Sequence, residues 1–178
     1  MDDVARQAAL DAWFRAYGDR VLAYLLHRTD ADTAQDVLQE VFVIAFRKAH
    51  SVPEPPIGWL FGTARRVLAN TVRGSKRRDQ LAERVAEAAQ QSDDFELAEL
   101  RGAFATTLTA LPASDREVLT LSAWYRLTPD EAAQALGCSR NAYTVRLRRA
   151  RKRLDQQLDR AGYTGPSPAG RLAEALRD

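Results

Sequence analysis

Residues 128–154 read TPDEAAQALGCSRNAYTVRLRRARKRL. Thr128 and Glu131 have the spacing of a capping box, in which an N-cap hydroxyl and a glutamate three residues on satisfy backbone N–H groups of a helix's first turn. Pro129 stands at the first helical position, where its missing N–H costs nothing. The helix so begun runs from Pro129 to Leu136 and stops at Gly137, the residue type best suited to the left-handed conformation past a helix end. Ser139 offers an N-cap to a second, longer helix reaching about Leu158. A two-turn helix, a three-residue turn containing glycine and a basic helix describe a helix-turn-helix. Cys138, small and at the corner of the turn, reads as a structural residue.

The charge on the second helix points to its partner. Residues 140–154 carry seven Lys/Arg and no acid. Ala142, Tyr143 or Val145, Leu147, Ala150 and Leu154 form its buried side, which leaves the cations the rest of the circumference. Such a helix suits a major groove, with its first turns at base edges and later arginines at phosphates. A solvated face or a coiled-coil edge is the bland alternative, and the capped helix-turn-helix favours DNA.

Upstream the pattern is helical throughout. Ser114-Asp-Arg-Glu117 has the form of another capping box. Apolar residues at i, i+3, i+4 and i+7 predict a helix from Leu10 to Leu26, with a possible break at Gly18, and a second from about Asp32 to Lys48. Three prolines in four positions, Pro53, Pro55 and Pro56, make Ser51–Ile57 a stiff loop. A third helix follows from Ile57 to about Arg73, with Trp59, Leu60, Ala64, Val67, Leu68 and Val72 as core candidates, and frays through Gly74–Arg78.

Residues 61–78 hold six Lys/Arg and no acid, whereas residues 79–100 hold seven Asp/Glu against one Arg, a net of −6. That composition change marks a linker. The expected fold class is all-α: two small helical domains, residues 1–78 and 101–160, joined by a flexible acidic linker, 79–100, and followed by a flexible tail, 161–178, with a short helix near Leu172–Leu176. Two basic segments suggest two contacts with a polyanion. The acidic linker between them is expected to screen those faces at low salt.

Several function classes are excluded. The chain has 178 residues with one cysteine and two histidines, His27 and His50, so neither an internal disulfide nor a metal-ligand cluster is expected. There is no phosphate-binding glycine loop and no nucleophile-and-base arrangement, so neither an enzyme nor a cofactor is expected. No apolar run approaches the roughly 20 residues of a bilayer span, and the acidic start Met1-Asp2-Asp3 is unlike a signal peptide. The cytoplasm is the expected compartment.

The chain resembles a known family in both halves. Leu111-Pro-Ala-Ser-Asp-Arg-Glu-Val-Leu119, Leu136-Gly-Cys-Ser139 and Arg146-Leu-Arg-Arg-Ala-Arg-Lys-Arg-Leu154 are similar to the DNA-binding domain of extracytoplasmic-function (ECF, group 4) RNA polymerase sigma factors. Ala34-Gln-Asp-Val-Leu-Gln-Glu-Val-Phe42 resembles that family's polymerase-binding helix, and Trp59-Leu-Phe-Gly-Thr-Ala-Arg-Arg66 its promoter-melting helix. The motifs come in the family's order over roughly residues 8–158. The resemblance implies an N-terminal sigma-2-like and a C-terminal sigma-4-like domain, a role in directing core RNA polymerase to promoters and melting them, and an anti-sigma factor as a further partner. It assigns Asp36, Gln39 and Glu40 to a coiled coil of the polymerase beta-prime (β′) subunit. It assigns Arg65, Arg66, Asn70 and Arg73 to the opened minus-10 element, together with a flipped-out base held in the proline-rich loop. Arg140, Thr144, Val145, Arg146, Arg148 and Arg149 fall to the minus-35 element.

The chain departs from its relatives at Arg66, often Asn, at Thr144 and Val145, often Arg and Ser, and at Arg148, often neutral. An unusual minus-35 sequence is therefore expected. The competing reading is an autonomous helix-turn-helix regulator whose N-terminal half senses or dimerises. A third, an adaptor that only sequesters another protein, has no use for two acid-free basic blocks.

Overall fold

The computed structural model describes residues 3–78 and 107–162. The expected acidic linker and its screening role, and the short helix expected near Leu172–Leu176, lie outside the described residues. Among those described, every regular element is helical: α1 (Asp3–Leu26), α2 (Ala31–Arg47), a 3₁₀ turn (Ala49–Ser51), α3 (Ile57–Arg78), α4 (Ala113–Ala123), α5 (Pro129–Leu136) and α6 (Arg140–Arg160). The described residues fall into two compact units, residues 3–78 with 130–139, and residues 107–129 with 140–162.

In the first unit α1, α2 and α3 pack on one another. Val21, Tyr24 and Leu25 of α1, Val37, Val41 and Ala45 of α2 and Leu60, Phe61, Ala64 and Val67 of α3 are all buried. Tyr24 and Phe61 stack edge to face with ring centroids 5.1 Å apart, the geometry favoured by ring quadrupoles. Burying each large apolar side chain contributes roughly 1.5–3 kcal/mol. Helix α1 begins earlier than expected and passes Gly18 without a break, since a single glycine costs a helix only about 1 kcal/mol, and the Phe14 ring lies 3.5 Å from where a Cβ on that glycine would be. Asp30 caps α2 by accepting the Thr33 N–H at 2.9 Å. The same hydrogen bond lowers the Asp30 pKa. The cap therefore stabilises α2 above the ordinary carboxylate range and is lost as pH falls through the lowered value. Helix α3 continues through Gly74 to Arg78. Trp59 and Val72, expected in the core, are half-buried, and Phe61 takes the interior position. The Glu54–Pro55 peptide in the loop before α3 is cis.

Helix α5 has the bounds read from the sequence. Its end is a Schellman motif: the Gly137 N–H donates to Gln134 O at 3.1 Å and the Cys138 N–H to Ala133 O at 2.9 Å, with Gly137 at φ 65°. That positive φ is the reason for a glycine there. The turn to Ser139 and the long helix α6 follow in the order expected of a helix-turn-helix.

In the second unit α4 packs on α6. The capping box expected at Ser114–Glu117 does not form. Helix α4 begins at Ala113 after Pro112, and no side chain caps it. Asp115 is used differently: its buried carboxylate accepts from Arg153 Nη1 of α6 at 2.5 Å. This pair ties Arg153, one of the later arginines expected at phosphates, to α4. Removing Arg153 leaves the Asp115 carboxylate buried and unpaired, while the half-exposed arginine moderates the loss through solvent screening. Arg153→Ala should lower stability by about 1–2 kcal/mol in urea unfolding. A double-mutant cycle with Asp115→Asn should show coupling of about 1 kcal/mol, and simple additivity would mean that the pair contributes nothing.

Candidate functional site

The helical period, about 100° per residue, turns each burial pattern into an exposed face. On α2, Ala34, Val37, Leu38, Val41 and Ala45 are spent in the core. Asp36, Gln39 and Glu40 are therefore exposed and share one face at i, i+3 and i+4. The structure adds Val43 to this face, four residues after Gln39 and 47% exposed. Val43 was not among the residues singled out in the sequence, although the helical period alone sets it between Gln39 and Glu40. Beside this face, Phe42 meets the exposed Phe14 edge to face at 5.0 Å, and Leu10, Asp11, Phe14, Arg15 and Phe42 line a shallow cleft. The face thus offers acid and amide along one edge and apolar contact along the other, which suits an amphipathic helical partner with a basic margin.

On α3, Leu60, Phe61, Ala64, Val67 and Leu68 are buried, and Arg65, Arg66, Asn70 and Arg73 are exposed. Arg66, Asn70 and Arg73 share one stripe at i, i+4 and i+7, and Arg65 lies about 100° to its side. Two short bonds order the stripe: Arg66 Nη2 donates to Thr63 Oγ1 at 3.0 Å, and Arg73 Nη2 to Asn70 Oδ1 at 2.6 Å. Thr63 is buried, so it holds the Arg66 guanidinium close to the helix. Forked donors on a fixed helix face suit phosphate and base edges. The proline-rich loop leads directly into the first turn of α3, through the Leu60 N–H bond to Pro56 O at 2.9 Å.

On α6 the buried stripe is Tyr143, Leu147, Ala150, Leu154 and Leu158. The choice left open by the sequence is settled: Tyr143 is 1% exposed and Val145 48%. Arg140, Thr144, Val145, Arg146, Arg148 and Arg149 are all exposed. Val145, Arg149 and Lys152 form the stripe opposite the core, at i, i+4 and i+7. The Thr144 hydroxyl donates to Arg140 O at 2.9 Å, which leaves its oxygen as an acceptor for the groove. Arg151 differs from its neighbours. It is half-buried, and burial lowers its pKa against the opposing influence of Tyr143 and Asp155. The surface is thus cationic where it is outward and apolar where it is inward.

Among the described residues there is no group of His, Cys, Asp and Glu able to hold a metal ion, and no helix is long and apolar enough to cross a membrane.

Comparison with known proteins matches both halves. The family described as Sigma-70 region 2 matches residues 13–78, and that described as Sigma-70, region 4 matches residues 101–154. The ECF RNA polymerase sigma factor SigM of Bacillus subtilis (strain 168) is 31% identical over 151 residues, covering 82% of this chain and 92% of the relative. Among solved structures, CnrH in complex with the cytosolic domain of CnrY is similar with a TM-score of 0.55 at 26% identity, over 86% of this chain and 89% of that one. The sigma factor RpoE in complex with the anti-sigma factor NepR from Bartonella quintana is similar with a TM-score of 0.56 at 26% identity, over 86% and 96%.

Proposed function

The chain belongs to the extracytoplasmic-function sigma factors of the sigma-70 family, and on that footing we propose how its surface divides among its partners. It directs core RNA polymerase to specific promoters and assists their melting in bacterial transcription initiation. The family is not an enzyme class, and the chain acts by binding alone, without a cofactor, in the cytoplasm. Its working parts are residues 1–78 for polymerase and the minus-10 element, an acidic linker over 79–100, residues 101–160 for the minus-35 element, and a tail.

Asp36, Gln39, Glu40 and Val43 on α2 dock the β′ coiled coil. Arg65, Arg66, Asn70 and Arg73 on α3, with the proline-rich loop, engage the opened minus-10 strand, where a base leaving the stack costs a few kcal/mol and its capture repays that cost selectively. Arg140, Thr144, Val145, Arg146, Arg148 and Arg149 on α6 enter the major groove of the minus-35 element. Arg149, at the centre of the outward stripe, is placed for bidentate contact with guanine O6 and N7. An anti-sigma protein restrains the factor, as the complexes of its structural neighbours suggest.

The observation that carries this reading is the separation of faces: every side chain assigned to a partner is exposed, on helices whose opposite stripes are buried. An autonomous regulator has no need of the α2 face. Asp36→Arg with Glu40→Arg should weaken binding to core polymerase at least tenfold in a fluorescence titration, with the helical circular dichroism unchanged, because both sites are exposed. Unchanged affinity would remove the α2 assignment. On DNA, Arg149→Ala should lose roughly 1–3 kcal/mol on the cognate minus-35 element and much less on random sequence. Lys152→Ala should weaken both alike and reduce the salt slope by about 1. Equal losses on both DNAs for both variants would show that α6 is set differently in its groove.

A further inference from the structure

Trp13 of α1 is 7% exposed, and an indole N–H can only donate, so its burial calls for an acceptor. That acceptor lies on no neighbouring helix. It is Oε1 of Glu54, 3.2 Å from Trp13 Nε1 and 41 residues further along the chain. Glu54 stands in the middle of the proline-rich loop between the 3₁₀ turn and α3. Pro53, Pro55 and Pro56 have no N–H to give. Among the described residues, the backbone bonds of this stretch lie at its two ends, Ser51 N–H to Lys48 O at 2.8 Å and Leu60 N–H to Pro56 O at 2.9 Å. The Trp13–Glu54 bond therefore ties the centre of the loop to the helical body.

The chemistry of the pair is informative. Glu54 is exposed, and an exposed carboxylate on a loop that meets a DNA strand repels phosphate. Bonded to Trp13, it is held against α1 and becomes an anchor. Prolines on both sides restrict the remaining freedom of the loop, so one bond at its centre suffices to select a shape.

We propose that Trp13 is a positioning residue for base capture: by holding Glu54 against α1, it sets the loop conformation that receives the flipped-out base of the minus-10 element. This rests on the assignment of that loop to the minus-10 strand.

The test uses the full chain with core polymerase on promoter fragments carrying 2-aminopurine at each minus-10 position in turn; the position that brightens is the captured one. Binding is then compared across all four bases at that position. Glu54→Ala removes the acceptor at an exposed site where folding is not at risk. Trp13→Phe removes the donor and keeps an aromatic ring, and Glu54→Gln keeps a carbonyl acceptor. Glu54→Ala and Trp13→Phe should each lose roughly tenfold in preference for the correct base, on the scale of one charge-assisted hydrogen bond. Glu54→Gln should retain most of it, and affinity for core polymerase should be unchanged in all three. Wild-type discrimination in Glu54→Ala would overturn the role of the pair, as would a Glu54→Gln loss equal to that of Glu54→Ala, since charge and not the hydrogen bond would then matter. If the wild-type protein shows neither brightening nor base preference, the assignment of the loop itself falls, and the inference with it.

Discussion

Burial of one apolar stripe on each helix is the constraint on which the rest of this structure depends. A helix that spends Val37, Val41 and Ala45 in a core has no freedom in where it presents Asp36, Gln39 and Glu40. The same holds for α6, where Tyr143, Leu147, Ala150 and Leu154 are inside and Val145, Arg149 and Lys152 must be outside. Packing energy, gained from side chains that touch no partner, is thus what aims the side chains that do. It also explains how the modest net charge of +2 is compatible with strong local fields: charge is sorted by helix face and by segment.

Much of this was legible from local rules. Pro129 and Gly137 marked both ends of α5, since each acts through its own backbone. The 3.6-residue period placed the α2 and α3 faces correctly, because it needs only the identity of the buried side. Features requiring knowledge of a distant partner were not legible. Asp115 looked like part of a local capping box, yet its carboxylate is taken by Arg153, 38 residues away. Trp13 falls on the apolar stripe of α1, and nothing near it in sequence announces Glu54. Gly18 and Gly74 suggested breaks where α1 and α3 continue, since helix propensity is a weak prior against tertiary context. The choice between Tyr143 and Val145 was legible too, since the period sets Val145 about 200° from Tyr143, opposite Leu147, Ala150 and Leu154.

The site follows the same division. Exposure of the residues proposed for polymerase and DNA could be read in advance, because it is the complement of burial. Their ordering could not: Thr63 steadies Arg66, Asn70 accepts from Arg73, and Thr144 bonds back to its own helix. The first two bonds reduce the rotamer freedom of long cationic side chains, and so would lower the entropic cost of any contact that fixes them. Departures from the family at Thr144, Val145 and Arg148 all fall on exposed positions of α6, where they leave the core intact.

The central claim is that one chain couples polymerase to two promoter elements. The most direct measurement is run-off transcription with purified core polymerase on a library of randomised promoters, sequencing the templates that give transcripts. The account predicts transcripts only when the factor is present, from templates sharing an upstream element and a second element at the melted segment. Sequence-specific binding of the factor alone, with no factor-dependent transcripts from any template, would contradict it.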